Sequence, residues 1–353
     1  MTKFLMGSLI LMLGLNSARA EEKARASSAP SFTKDSNLGL IAKRSPNLLK
    51  DSYFASRHLK DPPRNAFFVP FFSIILPGLG QYIEGQVQEG AIYTGLALAG
   101  SAYAGFNGAK VEEFQESTEY QTMTDAEKEN RNTHGEYERK FGVGSQLQFA
   151  AGSFSAYHSF RSRALSHQRV GGYKFLTKEE TPTDLLLAPF DFKYLKRSST
   201  YIPLAIVAGL SLISRPTDSE DEEYETDSLS NSDIAFSLVS SYGAGTHEEV
   251  LFRGWVMPLL HEQMNSPVWS NVVTSILFAA AHLGSISVPL PQLLLGYHLG
   301  NVTQDNQWTL AEAIFIHTWW DVIAFTSIYQ YKKREPGAAI TPVLWLPPFE
   351  MTF

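Results

Sequence analysis

His247-Glu248-Glu249-Val250-Leu251-Phe252-Arg253 interrupts an otherwise apolar run over 234–260, and its reading decides what kind of fold this chain has. An ionised side chain at the centre of a bilayer costs on the order of 3 kcal/mol, so charges in such a run usually face a bundle interior or a wet cavity. At 100° per residue, Glu249 and Arg253 lie one turn apart on the same face and can pair. Glu248 points roughly 100° away and has no local cation. A carboxylate left free in a low-dielectric pocket holds its proton more tightly, which is the setting a general base for water needs at neutral pH. A helix end at an interface, with two solvated acids and a snorkelling arginine, would use the same residue types.

Three more apolar segments follow, over 268–283, 286–302 and 308–329, each near the roughly 20 residues a spanning helix needs. The first ends in Phe278-Ala279-Ala280-Ala281-His282, where Phe278 and His282 share a face and the alanines allow close helix approach. On its own, a histidine at a helix end reads as a satisfied interfacial residue more readily than as a catalyst. The second contains Pro289 and Pro291 and reads as broken or re-entrant. The third carries His317-Thr318-Trp319-Trp320-Asp321, an i,i+4 pair on one face whose two charges would be costly to bury apart. That pair serves either as helix glue or as the polar wall of an active site with donors for an oxyanion.

Upstream, residues 1–20 read as a secretory signal or anchor: Lys3 precedes an apolar stretch to Leu15, and Ala18-Arg19-Ala20 has the small-x-small pattern of a cleavage site. Residues 21–65 are polar, with Pro30, Pro46, Pro62 and Pro63, and read as a disordered or loosely packed lead-in. The apolar runs over 67–79 and 91–106 read as a membrane hairpin, and 147–160 as a weaker crossing. The predominantly acidic 108–143 reads as a solvated loop or exposed helical hairpin, and 161–197 is basic, so the positive-inside rule puts the two on opposite sides. A further apolar run over 201–213 leads into the acidic 218–227, which reads as an external loop. Four crossings after it would return Lys332-Lys333-Arg334 to the acidic side, so one crossing is miscounted.

Within its 353 residues the chain has no cysteine, which removes disulfide scaffolds, thiolate metal sites and cysteine nucleophiles. Chemistry here has to run on carboxylates, histidines or hydroxyls. The net charge of −7 argues against a nucleic-acid partner. The expected division is 1–20 signal or anchor, 21–65 lead-in, 66–160 accessory membrane helices, 161–233 linker with one membrane helix and acidic loop, 234–330 core, and 331–353 tail.

Two resemblances enter on these residues. Pro77-Gly78-Leu79-Gly80-Gln81-Tyr82 resembles the P-G-x-G-Q-x-Y signature of small two-helix bacterial membrane domains. E-E-x-x-x-R, F-x-x-x-H and H-x-x-x-D, in this order on successive apolar segments, resemble the CPBP family of intramembrane proteases, which includes the type II CAAX-prenyl proteases and the Abi group. That resemblance covers about 234–330 and implies an all-α, polytopic membrane bundle with catalytic residues in an intramembrane cavity. It implies that Glu248 activates water, that His282 helps hold it, and that His317 and Asp321 bind the oxyanion or orient its ligands. Glu249, Arg253 and Phe278 support them. An ionised Asp321 cannot donate a hydrogen bond, so it either orients His317 or sits protonated.

Two cofactor readings stay open: Glu248, His282 and His317 as a two-His, one-carboxylate zinc set, or hydrolysis without metal. The chain has no H-E-x-x-H helix. The expected substrate is a membrane protein or peptide, with the bilayer as the other partner and the bacterial cytoplasmic membrane as the location. The other classes weighed are a non-catalytic scaffold or immunity protein that keeps the fold, and an ion-coupled transporter.

Overall fold

The computed structural model describes residues 65–124, 127–128, 131–132, 135–213, 229–282 and 289–332; among them the chain is helical and has no strand. The readings of 1–20, of nearly all of 21–65, of the acidic 218–227 and of the tail beyond Lys332 lie outside the described residues.

Asn65 opens the first helix, its Oδ1 accepting from the backbone N–H groups of Phe67 and Phe68. Helix α1 (Phe68–Ile75) holds Pro70 in its first turn, where a missing N–H costs nothing. Pro77 and Gly78 then break the chain direction, with Gly78 at φ +99, before α2 (Leu79–Ile83). The apolar run over 67–79 is therefore one eight-residue helix and a turn into α2, too short for one arm of a membrane hairpin.

Helix α3 (Val87–Gln115) is followed by the single-turn α4 (Thr118–Thr122) and the long α5 (Glu136–Gln168). The acidic 108–143 is thus largely continued helix on both sides, and the helical-hairpin alternative is the one the fold adopts. Glycines let α3 and α5 touch backbone to backbone: a Cβ on Gly100 would lie 2.7 Å from the Gly144 carbonyl oxygen, and one on Gly144 would lie 2.5 Å from the Ala104 nitrogen.

Helix α6 (Pro182–Leu187) starts at a Thr181–Asp184 capping box and runs into two 3₁₀ turns, Ala188–Phe190 and Phe192–Lys196. Helix α7 (Ser198–Ile213) precedes α8 (Asn231–Leu251), which has a Ser230–Asp233 capping box. A π turn, Phe252–Val256, leads to α9 (Met257–Met264). Helices α10 (Pro267–Ala281), α11 (Leu290–Asp305) and α12 (Ala311–Lys332) complete the bundle. Pro289 and Pro291 stand at the start of α11, so they begin this helix where the sequence suggested a break.

Two packing relations place the site. Helices α5 and α8 run parallel, in step from Arg139–Asp233 through Gln146–Ser240 to Phe149–His247. Helices α8 and α12 run antiparallel, from Phe236–Tyr329 to Glu249–His317. One apolar cluster, including Phe160, Phe252, Trp255 and Phe278, closes one end of this trio, and a second, including Leu299, Phe315 and Trp320, backs α12.

Among the described residues no helix is long and apolar enough to cross a membrane. Helices α10 and α11 have 15 and 16 residues, roughly 23 Å at 1.5 Å per residue against a hydrocarbon core of about 30 Å. Helix α8 spends its length on Asp233, four serines and the His-Glu-Glu triplet. Apolar side chains nevertheless face outward on several helices, among them Leu98 and Phe106 on α3, Ile202 and Ile206 on α7, Leu238 on α8, and Trp269 on α10.

Candidate active site

Glu248 and Glu249 stand on the last turn of α8, immediately before the π turn. A π turn adds one residue to the helical cycle and is frequent at functional sites. It leaves the expected pair intact: Arg253 Nη1 donates to Glu249 Oε1 at 2.7 Å, with both side chains fully buried. Arg253 Nη2 donates to the Gly296 carbonyl of α11 at 2.8 Å, and the guanidinium lies 4.5 Å from the Phe278 ring centroid. One cation therefore joins three helices, which is how a buried charge is made tolerable.

Glu248 turns away from Arg253 and meets two histidines. Its Oε2 is 3.8 Å from His282 Nε2 and 3.9 Å from His317 Nε2, and it makes no hydrogen bond to protein. Both separations exceed a direct hydrogen bond. His282 caps α10, and its Nδ1 donates to the Phe278 carbonyl at 2.7 Å. His317, in the second turn of α12, has Nδ1 2.8 Å from Glu249 Oε1. Each imidazole is thus held through Nδ1 and presents Nε2 toward Glu248. The Phe278 ring packs against both, at 4.8 Å from His282 and 5.6 Å from His317.

Asp321 Oδ2 lies 3.5 Å from His317 Nε2, and Asp321 Oδ1 has no hydrogen bond to protein. The side chain that orients His317 through Nδ1 is accordingly Glu249, a role the sequence offered as one of two alternatives for Asp321. Glu249 Oε1 serves Arg253 and His317 at once. No local spacing reveals this, because the two partners come from different helices.

The seven residues singled out in the sequence, Glu248, Glu249, Arg253, Phe278, His282, His317 and Asp321, come together in one buried cluster. What the sequence did not reveal is its support. Gly245 lets α12 approach α8 closely: a Cβ there would fall 2.3 Å from Thr318 Oγ1 and 2.7 Å from the Thr318 nitrogen. Two carboxylates hold the start of α12. Glu180, from the segment before α6, accepts from the N–H groups of Leu310 at 2.6 Å and Ala311 at 3.1 Å. Burial holds its carboxyl above the ordinary carboxylate range, against the pull of those two N–H groups. Glu312 accepts from Arg197, Ser199, Thr200 and Asn306. An acid just inside a helix start was the available signal for Glu312, whereas Glu180 lies 130 residues before the helix start it holds and no local spacing reveals it.

The zinc set stands slightly wider here than donors on one bound metal. Donors sharing one tetrahedral zinc at about 2.0–2.1 Å sit roughly 3.3 Å apart, and Glu248 is wider than that from both histidines. Among the described residues no group of three or more His, Asp or Glu side chains is arranged to hold a metal ion.

A scan against family models matches residues 230–323 to the family described as type II CAAX prenyl endopeptidase, Rce1-like. No curated protein matches the chain. No solved structure matches it either. The matched segment begins at the α8 cap and ends two residues beyond Asp321, so it spans every member of the cluster. By this match, residues 230–323 are similar to the type II CAAX prenyl endopeptidase, Rce1-like family.

Proposed function

We propose that the chain is an intramembrane endopeptidase that hydrolyses a peptide bond of a membrane-associated protein or peptide with water activated by Glu248. The observation that carries this reading is the convergence of Glu248 Oε2, His282 Nε2 and His317 Nε2 from three helices, with Glu248 hydrogen-bonded to none of them. A carboxylate held without a local cation beside two oriented imidazoles is a general-base arrangement.

Water held between Glu248 and His282 attacks the scissile carbonyl carbon, and its proton passes to Glu248. His317, anchored at Nδ1 by Glu249, offers protonated Nε2 to the developing oxyanion, and Asp321 beside it balances that charge. When the intermediate collapses, the carbon–nitrogen bond breaks and Glu248 returns its proton to the leaving amine. The products are one carboxylic acid and one amine, and transfer of the acid's proton to the amine gives a carboxylate and an ammonium, so atoms and protons balance.

The membrane assignment draws on the family match and on the apolar side chains that face outward on α3, α7, α8 and α10. The bacterial cytoplasmic membrane is the location that the P-G-x-G-Q-x-Y resemblance implies. The test is purified protein in liposomes with a fluorogenic membrane-peptide library, comparing wild type with Glu248→Gln. Loss of all cleavage at an unchanged melting temperature is expected; full activity in Glu248→Gln would overturn the role of Glu248.

A further inference from the structure

Serine and threonine inside helices commonly satisfy their hydroxyl by bonding back to the carbonyl four residues earlier. This bundle follows the habit at Thr246 to Tyr242, Ser275 to Asn271 and Thr326 to Val322, at 2.7–2.8 Å. Ser237, Ser241 and Thr318 depart from it. Their hydroxyls are buried, and none has a hydrogen bond to protein. Asp321 Oδ1 and Glu248 Oε2 share that condition.

These five groups lie on α8 and α12, which pack together at Gly245 and Thr318. On α8, Ser237, Ser241 and Glu248 fall within about 40° of one another at 100° per residue. The gap between Ser241 and Glu248 is at Gly245, which has no side chain and against which Thr318 Oγ1 packs. Asp321 stands one helical turn beyond Thr318 on α12. At 1.5 Å per residue the steps Ser237 to Ser241, Ser241 to the level of Gly245, and on to Glu248 are roughly 6, 6 and 4.5 Å, each a length that one or two hydrogen-bonded waters span. The far end reaches the start of α8, where Arg139 and Asp233 pair at 2.5 Å beside the exposed Ser232.

Buried polar atoms without protein partners cost free energy unless something outside the protein bonds them, and ordered water does this in folded proteins. We propose that the seam between α8 and α12 delivers hydrolytic water to Glu248, with Ser237, Ser241 and Thr318 as its water-binding residues and the Arg139–Asp233 pair at its mouth. The proposal rests on the reading of Glu248 as the base for water.

The test compares Ser241→Val with Ser241→Thr in the full chain, reconstituted in liposomes. Valine and threonine match in size, so packing disturbance is common to both and only the hydroxyl differs. On a peptide cleaved from the membrane library, Ser241→Val should lose about tenfold in kcat with KM unchanged, and Ser241→Thr should rescue most of it. Equal losses in the two, or no loss in either, would overturn the path.

Radiolytic footprinting, in which bound water oxidises the side chains it touches, supplies a readout without activity. Oxidation of the buried His317, at the inner end of the path, is expected in wild type and should be lost in Ser241→Val; no oxidation there in wild type would overturn the path. Glu248→Gln should keep the footprint while losing cleavage. An active Glu248→Gln would sink the base, whereas an inactive one with a dry seam would sink only the path.

Discussion

Gln81 and Glu248 are both polar side chains buried among helices, and their surroundings are finished in opposite ways. The Gln81 side chain has both of its polar atoms answered. Its Nε2 donates to the Ser155 carbonyl, its Oε1 accepts from the Ser155 hydroxyl, and that hydroxyl in turn accepts from the Gly78 N–H. Gly80 N–H donates to Ser73, which bonds back to Val69. The P-G-x-G-Q signature is therefore a clamp that fastens the turn before α2 onto the middle of α5. Around Glu248 the polar groups are brought close and left incomplete: Glu248 Oε2, Glu249 Oε2 and Asp321 Oδ1 are buried without protein partners. A closed network fixes a fold, whereas an open one in the same interior has capacity left for substrate and water.

This contrast breaks if substitutions in the two regions behave alike. The largest effect is expected from Glu248→Gln, which should lower peptide cleavage on the order of 10³-fold, about 4 kcal/mol of barrier, with little change in melting temperature. Arg253→Ala comes next. It leaves Glu249 buried without its cation and should cost about 3–5 kcal/mol of stability by denaturant unfolding, taking activity with it.

Gln81→Ala sharpens the comparison from the other side. It strands Ser155 and should cost roughly 1–3 kcal/mol of stability, while the folded fraction keeps its kcat. A selective loss of kcat there would contradict a purely structural clamp.

The smallest effect concerns Glu180. Its folded carboxyl is held above the unfolded value, so the folded state binds more protons in the window above the ordinary carboxylate pKa. Stability should therefore fall as pH rises through that window, and Glu180→Gln should flatten the fall. Melting temperature against pH reads this directly. Glu180→Ala, which uncaps α12, should cost about 1 kcal/mol at low pH as well.

Much of the site was legible before the fold was. The i,i+4 spacing of Glu249 and Arg253 predicts their pair because 100° per residue is a property of any helix, and it survives even the π turn that follows. The same geometry places Phe278 beside His282 and His317 beside Asp321. Helix ends were less legible. Pro289 and Pro291 looked like a break and turned out to start α11, since proline is tolerated in a first turn and disruptive only in an interior. The charged stretch over 108–143 left loop and helical hairpin open because it lacks an apolar stripe, and α3 and α5 extend into it on the strength of their mutual packing further along.

The sequence by itself determined that chemistry here runs without thiols, that one carboxylate of the pair at 248–249 is neutralised within its own helix, and that the polar residues fall in three separated motifs. Those are consequences of composition and of periodicity along a single helix. Only the tertiary structure decided that Glu249 holds His317 at Nδ1, that Arg253 ties α8 to a carbonyl on α11, and that the buried hydroxyls of Ser237 and Ser241 and Oε2 of Glu248 have no hydrogen bond to protein. Each of these depends on which faces of α8, α11 and α12 meet and at what height. Gly245 and Thr318 set that height through a backbone contact too close for any side chain, and spacing along one strand of sequence does not encode it.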